Sequence, residues 1–395
     1  VNLRMWQSEA SFFEPFMDAA IALAEQGRWR ACPNPVVGAV LVRDGQIAAQ
    51  GFHSACGQPH AEVECLRDAA EKGVNPADCT LCVTLEPCNH YGKTPPCTQA
   101  IWESGIRRVV VGLRDPHPEA GGGADWLRER GVEVETGVRA QACHDLAADF
   151  LVWQQEQRPY LILKLASTLD GRIATRSGHA QWISGEYSRA SVHELRAGIG
   201  SCGGAVLIGG NTFYTDNPLL TARPLPSEGR QPLACILTSR LPHPAKNISL
   251  LHQRPGQCVF LCPRGIDASP EAAALRDIGA HVHGLDRAPE HQGLDLHAGL
   301  RLLQKNHACF YVLCEGGGKL ALSLLEQGLV DEFRLHMAPR ILGDNAALPL
   351  FDGRAPLHMD QSLGMRIASL GMCGEDAHMV LRPSCSGSPS KVLSF

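Results

Sequence analysis

The chain is poor in aromatic residues, carries little net charge and has no long apolar run. Aromatics are 6% of 395 residues, with five Tyr and six Trp, too few for extended base-stacking platforms. The formal charge is −5, whereas binders of polyphosphate chains carry a basic surplus. Long nucleic acid is therefore not an expected partner. A small phosphorylated substrate remains compatible, because a few arginines hold a phosphate whatever the net charge. No apolar run approaches the roughly 18 residues of a membrane helix. Val1 to Phe16 also lacks the basic start and apolar centre of a secretory signal. With 44% hydrophobic and 19% charged residues, disorder and coiled coil are excluded.

Cysteine, by contrast, is plentiful. Sixteen are scattered through the chain, many in apolar segments such as those of Cys235, Cys309 and Cys314. Without a secretory signal they read as buried thiols of a reducing cytoplasm, not as a disulfide framework. At roughly 150 residues per domain, the length predicts two domains. Alternating helical and strand patterns fill residues 1–155, with strands at Val36 to Val42, Gln46 to Gln50, Thr80 to Leu85, Arg108 to Leu113 and Val132 to Glu135. Helices are expected at Phe16 to Gln26, His60 to Lys72, Thr98 to Glu103 and Ala124 to Arg130. The polar, Gln-rich stretch Leu151 to Arg158 reads as the linker. A second α/β domain is expected over 159–383, with strands at Tyr160 to Ala166, Ala205 to Gly209, Leu233 to Thr238, Cys258 to Cys262 and Phe310 to Cys314. Helices there are expected at Ser188 to Ala197 and Lys319 to Gln327. Residues 384–395 read as a flexible tail, rich in Ser, Pro and Gly.

Two constellations carry chemistry. In the first, His60-Ala61-Glu62 opens a helix, Pro87-Cys88 follows a buried strand, and Cys97 comes after a short loop. One imidazole and two thiolates leave the fourth tetrahedral position of a zinc ion open to water. Helix N-termini favour the thiolate form that binds metal. A carboxylate two residues beyond the histidine can shuttle a proton, the arrangement of zinc base deaminases. Eight residues separate Cys88 from Cys97, where that general pattern has two. The competing reading is a surface histidine with two buried thiols. Asn34, between two prolines, can offer donor and acceptor to a base edge, or simply serve a turn. His53 reads equally as a packed core histidine.

These segments resemble the deaminase half of the bifunctional deaminase–reductase family of riboflavin biosynthesis. The matching pieces are Pro33-Asn34-Pro35-Val36-Val37-Gly38, Gly51-Phe52-His53, His60-Ala61-Glu62, and Glu86-Pro87-Cys88-Asn89-His90 through Gly92-Lys93-Thr94-Pro95-Pro96-Cys97. The loop Asp115-Pro116-His117-Pro118 also matches. In that family the long loop between the cysteines is normal. The resemblance implies a cytidine-deaminase-like three-layer domain, with His60, Cys88 and Cys97 as ligands of Zn(2+) and Glu62 as the catalytic proton shuttle. It implies substrate contacts at Asn34, His53, His90 and Lys93.

In the second constellation, the apolar strand Phe310 to Cys314 leads into Glu315-Gly316-Gly317-Gly318-Lys319 and then a helix. Glycines let backbone N–H groups approach a phosphate at a helix start, although a glycine run is also an ordinary turn. The G-x-G-x-x-G fingerprint is missing early in this domain, where a standard dinucleotide fold carries it. Ser239-Arg240 after a strand suits a 2′-phosphate, and so NADP over NAD. Arg196 and Arg223 together could grip a substrate phosphate.

This half is similar to the reductase half of the same family. The likeness runs through Leu163-Lys164-Leu165-Ala166, Trp182-Ile183-Ser184, His193 to Arg196, Thr212 to Pro218 and Glu315 to Gly318. It implies a dihydrofolate-reductase-like fold. NADPH contacts are implied at Ala166, Trp182, Thr212, Asp216, Ser239, Gly317, Gly318, Lys319, Leu320, Ala321, Leu322 and Ser323. Substrate contacts are implied at Lys164, Ala180, Arg196, Leu220, Arg223 and Glu315. Ala180 stands where many members have serine, Asn217 replaces a frequent aspartate, and about four extra residues near Gly198 to Ser201 are expected to lengthen a connection. The resemblance implies zinc-dependent deamination of 2,5-diamino-6-(5-phosphoribosylamino)pyrimidin-4(3H)-one, then NADPH-dependent reduction of its ribosyl group to a ribityl chain. It further implies a homo-oligomer. Two alternatives remain at this stage: a nucleoside or tRNA-base deaminase with a non-catalytic C-terminal domain, and a structural zinc protein needing a fourth protein ligand.

Overall fold

The structure is a computed structural model describing residues 9–91, 95–115, 121–225, 229–289 and 293–384. The chain divides into two compact units, Val1–Glu156 and Gln157–Phe395. No helix among the described residues is long and apolar enough to cross a membrane.

In the first unit, β1 (Gly38–Arg43), β2 (Gln46–Phe52), β3 (Thr80–Leu85), β4 (Arg108–Leu113) and β5 (Glu133–Thr136) form one sheet in the order β2-β1-β3-β4-β5. β1 is antiparallel to β2 and β3, and β3, β4 and β5 are parallel. Asp44 and Gly45, both at positive φ, make the tight β1–β2 turn that Asp-Gly favours. The helices are α1 (Glu9–Glu25), α2 (Arg28–Ala31), α3 (Ala61–Glu71), α4 (Cys97–Glu103), α5 (Gly123–Glu129), α6 (Ala140–Leu146) and α7 (Ala148–Gln155). Strand side chains alternate between faces, and both faces are apolar. Ala39, Leu41, Leu81, Val83, Val109 and Val111 pack with Ala61, Cys65 and Ala69 of α3. Val40, Val42, Cys82 and Val110 pack with Phe13, Met17 and Ala20 of α1. Three layers result.

The expected linker is corrected by the structure. Residues 151–155 finish α7, with Leu151 and Trp153 buried. The glutamines are simply the wet side of that helix. Its Asp149 is also buried and accepts a hydrogen bond from Arg28 Nη1 at 2.8 Å. Arg158 is 1% exposed and donates to both carboxylate oxygens of Asp331, at 2.7 and 2.8 Å, so it is an anchor of the second unit.

The second unit holds β6 (Tyr160–Thr168), β7 (Arg172–Ala174), β8 (Ala205–Gly209), β9 (Leu233–Leu237), β10 (Cys258–Pro263), β11 (His281–Leu285), β12 (Tyr311–Cys314), β13 (Glu332–Ala338), β14 (Leu348–Pro349), β15 (Met365–Cys373) and β16 (Asp376–Pro383). Nine of them form a sheet in the order β11-β10-β9-β8-β12-β6-β13-β16-β15; β7 and β14 pair separately. The run from β11 to β13 is parallel, and β16 and β15 add antiparallel strands at one edge. Helices are α8 (Glu186–Ser201), α9 (Gly210–Asp216), α10 (Ser249–Gln253), α11 (Pro270–Asp277), α12 (Leu296–His307) and α13 (Gly318–Glu326). Leu161, Leu163, Leu165, Leu207, Val259, Leu261 and Phe333 pack against Leu300 and Leu303 of α12 and Leu320, Ala321 and Leu324 of α13. Each such buried Leu contributes about 2 kcal/mol.

Gly198 to Ser201 form the last turn of α8. Gly200 is needed there, since a Cβ would sit 2.1 Å from the Arg230 carbonyl oxygen. Residues 385–395 of the expected tail lie outside the described residues.

Candidate active sites

Two ends of secondary structure meet at the first site. His60 is the N-cap of α3, and Cys97 is the first residue of α4. Cys88 follows β3 by three residues. His60 Nδ1 is 3.3 Å from Cys97 Sγ and 3.6 Å from Cys88 Sγ, and the three ligand atoms lie within 4.8 Å of one another. Nitrogen and sulfur ligands of a tetrahedral zinc sit about 3.6 Å apart, so the donor set fits that ion. A hydrogen bond from Cys97, then His60, pulls the Cys88 thiol down to about 4 despite burial. The Cys97 backbone N–H also points at Cys88 Sγ, at 3.4 Å.

Glu62 is the second residue of α3 and is 3% exposed. Burial, followed by the neighbouring Cys88 thiolate, pushes its carboxyl up to about 7, where a proton is given and taken with equal ease. The start of α3 is pressed close to β2 because Gly51 lacks a side chain; a Cβ there would meet the Cys65 nitrogen at 2.3 Å. The buried His53 ring stands edge-on to His60, with centroids 5.5 Å apart. Its Nδ1–H donates to the Pro59 carbonyl at 3.0 Å, which leaves Nε2 to accept from Asn34 Nδ2 at 3.2 Å. Burial lowers the His53 pKa, in keeping with that neutral tautomer. The Asn34 amide is thereby oriented, with its oxygen left as an acceptor.

His90 is exposed, while Gly92, Lys93, Thr94 and Pro116 to Pro118 lie outside the described residues. Glu86, to which sequence reasoning gave no role, is buried and accepts from the backbone N–H groups of Asp115 at 2.9 Å and Ala124 at 2.8 Å. It ties the Pro87-Cys88 turn to the start of α5. Gly123 allows this contact, since a Cβ would lie 2.0 Å from the Pro87 carbonyl oxygen. The signal available was the Glu-Pro-Cys triplet itself.

In the second unit, a cleft of about 970 Å³ opens at the carboxyl ends of β8, β9 and β12. It is lined by Gly209 to Thr212, Tyr214, Leu237 to Arg240, Gly317 to Leu320 and Ser323, among others. Of the cofactor contacts expected from sequence, Thr212, Ser239, Gly317, Gly318, Lys319, Leu320 and Ser323 line it. Ala166, Trp182, Asp216, Ala321 and Leu322 do not. Ala321 and Leu322 are buried. Trp182 is largely exposed, with the Arg189 guanidinium 4.7 Å from its ring centre. Gly317, the N-cap of α13, has open space where a Cβ would stand, so α13 presents bare N–H groups to the cleft, a cradle for phosphate. Arg240 stacks over Tyr214, 4.6 Å to the ring centre, and its carbonyl accepts from the Tyr214 hydroxyl at 2.6 Å and Thr238 Oγ1 at 2.9 Å. These residues fit a phosphorylated dinucleotide. Tyr214 is among the lining residues that the sequence did not offer.

Beside the cleft, Arg196 of α8 grips Glu315 with two bonds of 2.6 and 2.8 Å and donates to the Thr221 carbonyl at 3.0 Å. Although burial pushes the Glu315 carboxyl up, Arg196 and then Lys164 hold it below its usual value. Burial depresses the Lys164 ammonium, with Glu315 opposing. Arg196, Glu315, Lys164 and the Leu220–Arg223 segment are thus neighbours; Leu220 is buried, and Arg223 and Ala180 are exposed. A polar layer unforeseen from sequence continues from Lys164. The imidazoles of His336 and His378 stack at 3.6 Å, and Ser188 Oγ bonds His378 Nε2 at 2.8 Å and Asp376 Oδ2 at 2.5 Å. Asp376 also takes the Gly185 N–H at 2.7 Å, so the last strand pins the start of the helix that carries Arg196.

The comparisons with known proteins agree with this arrangement. Residues 11–113 match the cytidine and deoxycytidylate deaminase zinc-binding region, and residues 159–379 match the RibD C-terminal domain. The riboflavin biosynthesis protein RibD of Aquifex aeolicus is 37% identical over 362 residues, covering 91% of this chain and 96% of its own. That of Escherichia coli is 36% identical over 346 residues, covering 84% and 89%. The chain belongs to the RibD family. Among solved structures, RibD of Acinetobacter baumannii covers 95% of this chain and 99% of its own at 34% identity and TM-score 0.72. The diaminohydroxyphosphoribosylaminopyrimidine deaminase/5-amino-6-(5-phosphoribosylamino)uracil reductase of Thermotoga maritima covers 95% and 100%, at 34% identity and TM-score 0.74. A RibD chain unites a deaminase and a reductase of riboflavin biosynthesis, and the reading with a non-catalytic second half is set aside.

Proposed function

We propose that the first unit deaminates 2,5-diamino-6-(5-phosphoribosylamino)pyrimidin-4(3H)-one and that the second reduces the ribosyl group of the product to a ribityl chain. The convergence of His60, Cys88 and Cys97 next to the buried Glu62 carries this reading. Zinc held by those three side chains supplies the acidity that makes a water nucleophilic near neutral pH. Glu62 takes the proton of the attacking water and passes it to the departing amino nitrogen, which leaves as ammonia. The Asn34 oxygen accepts from an amino group on the pyrimidine edge, with His53 holding the amide in place. His90 and Lys93 complete the contacts to the substrate and its phosphoribosyl arm.

NADPH in the β8–β9–β12 cleft supplies the reducing equivalents of the second step. Ser239 and Arg240 take its 2′-phosphate, and the start of α13 takes its pyrophosphate. Lys164, poorly solvated and flanked by Glu315, donates a proton to the sugar ring oxygen as the ring opens. Arg196, kept in place by Glu315, and Arg223 orient the phosphorylated sugar.

The substrate is a small molecule and not a nucleic acid, in line with the charge of −5. The buried free thiols Cys235, Cys258, Cys262, Cys309 and Cys314 support work in the reducing cytoplasm. A homo-oligomer is supported by edge strand β15, where Ile367, Leu370 and Met372 are each at least 60% exposed; single apolar edges of this kind invite pairing. The decisive test is incubation of the purified protein with the diaminopyrimidine phosphate, with and without NADPH, and identification of the products by mass. Deaminated pyrimidine without NADPH and its ribityl derivative with it are expected. Unchanged substrate in both cases would end the proposal.

A further inference from the structure

Three histidines stand together at the edge of the large sheet, outside the lining of the cleft in that unit. His281 and His283 are two apart on β11 and so project from the same face. β11 is the terminal strand, paired only with β10 among the described residues. α12 packs on that face through Leu300 and Leu303, which share a core with Leu285. Gly299 lets it approach closely, since a Cβ there would be 3.1 Å from Leu285 Cδ1. This packing carries the last residue of α12, His307, over the two strand histidines. His283 Nε2 and His307 Nε2 are 3.2 Å apart, and the ring of His281 is 4.7 Å from that of His307, centre to centre.

We propose that His283 and His307, joined by His281, form a second metal site, for a borderline divalent cation such as zinc. Two ligand nitrogens of a tetrahedral zinc lie about 3.3 Å apart, close to the distance seen. Without an ion the same contact is a hydrogen bond between the two rings, which the metal would replace. Burial first, and then His281 and His283, push His307 down to about 4, and burial also lowers His283. Both rings are therefore neutral near pH 7, with lone pairs available. The last turn of a helix also favours a cation, through its unsatisfied carbonyls. An all-imidazole donor set selects zinc, copper or nickel and rejects magnesium and calcium. As it stands, exposed His281 does not complete a three-ligand group; a change of its side-chain torsions makes it the third ligand, with water as the fourth. The ion clips an otherwise open sheet edge to the helix above it; it takes no part in either reaction.

Metal content of the full-length protein, measured after equilibrium dialysis against micromolar zinc, tests the site. Wild type is expected to hold two zinc ions per chain and the variant His307→Gln one, with deamination unchanged in both. Cobalt substitution adds a second readout: the sulfur-to-cobalt absorption of the cysteine site persists in His307→Gln, while the nitrogen-only spectrum disappears. Zinc should also raise the melting temperature of the second unit in wild type but not in His283→Gln or His307→Gln. One zinc per chain in wild type, or equal zinc in wild type and His307→Gln, would overturn the proposal.

Discussion

The chemical groups of the first unit come from short segments packed around the start of α3, whereas those of the second are spread over the ends of β6, β8, β9 and β12 and the helices that follow. His60 and Glu62 are two residues apart, and Cys88 and Cys97 are bracketed by one loop. In the second unit Lys164, Arg196, Glu315 and Asp376 span more than half of that unit. The difference follows from the job. A metal ion needs three atoms at fixed short distances, which two helix starts and a turn can supply. A dinucleotide and a sugar phosphate need a long surface, which the carboxyl edge of a parallel sheet supplies.

The contrast can be broken most sharply at the metal. His60→Ala should abolish zinc binding at that site and cost deamination more than about 10⁴-fold, since an unactivated water replaces an activated one. The reductase should keep its rate. Metal analysis and separate assays of the two steps would check this, and a comparable loss in both steps would contradict the independence of the units. In the second unit the largest effect should come from Glu315→Gln. It leaves Arg196 half-paired in a site where both side chains are only about 15% exposed, and costs that unit about 3 kcal/mol. A fall in reduction with deamination intact, together with an earlier unfolding transition by calorimetry, is expected.

A third test sharpens the electrostatic side. Glu62 rises from 4.5 to about 7 on folding, so in the metal-free protein the native state holds a proton that the unfolded chain has lost. Its contribution is full below pH 4.5 and disappears as pH climbs to about 7, a loss of about 3 kcal/mol. The Cys88 thiol, down at about 4, titrates in the opposite sense over the same range. Denaturant titrations of the metal-free protein should therefore read the Glu62 contribution as the stability difference between wild type and Glu62→Gln, which should change by about 3 kcal/mol between those pH values. The smallest effect is expected at the cofactor cleft. Arg240→Ala removes one charge-assisted contact and should raise KM for NADPH about 10- to 100-fold, with little change for NADH. Equal changes for the two cofactors would place the 2′-phosphate elsewhere.

The same contrast explains what could be read from the sequence. The zinc triad and Glu62 were legible because ligand spacing, strand and turn all lie within forty residues. Strands β3, β4 and β8 were legible because they are short apolar runs buried on both faces. β15 was not, because most of its residues are exposed and no alternation marks a face. The end of α7 passed for a linker because its glutamines hide the alternate buried positions Leu151 and Trp153. Glu86 serves backbone N–H groups, and the Ser188, His336, Asp376 and His378 layer joins a helix to two late strands. Contacts of that range leave no local pattern. The cleft could be placed on its glycines, but the backbone shape that excludes Ala321 and Leu322 from its lining needed the helix.

The most direct test of the central claim uses Glu62→Gln in the full-length protein. Zinc should remain bound at His60, Cys88 and Cys97, deamination should fall by about 10² to 10⁴-fold, and reduction of the already deaminated pyrimidine by NADPH should proceed at the wild-type rate. Wild-type deamination in that variant, or loss of reduction in a folded, zinc-loaded chain, would contradict the account.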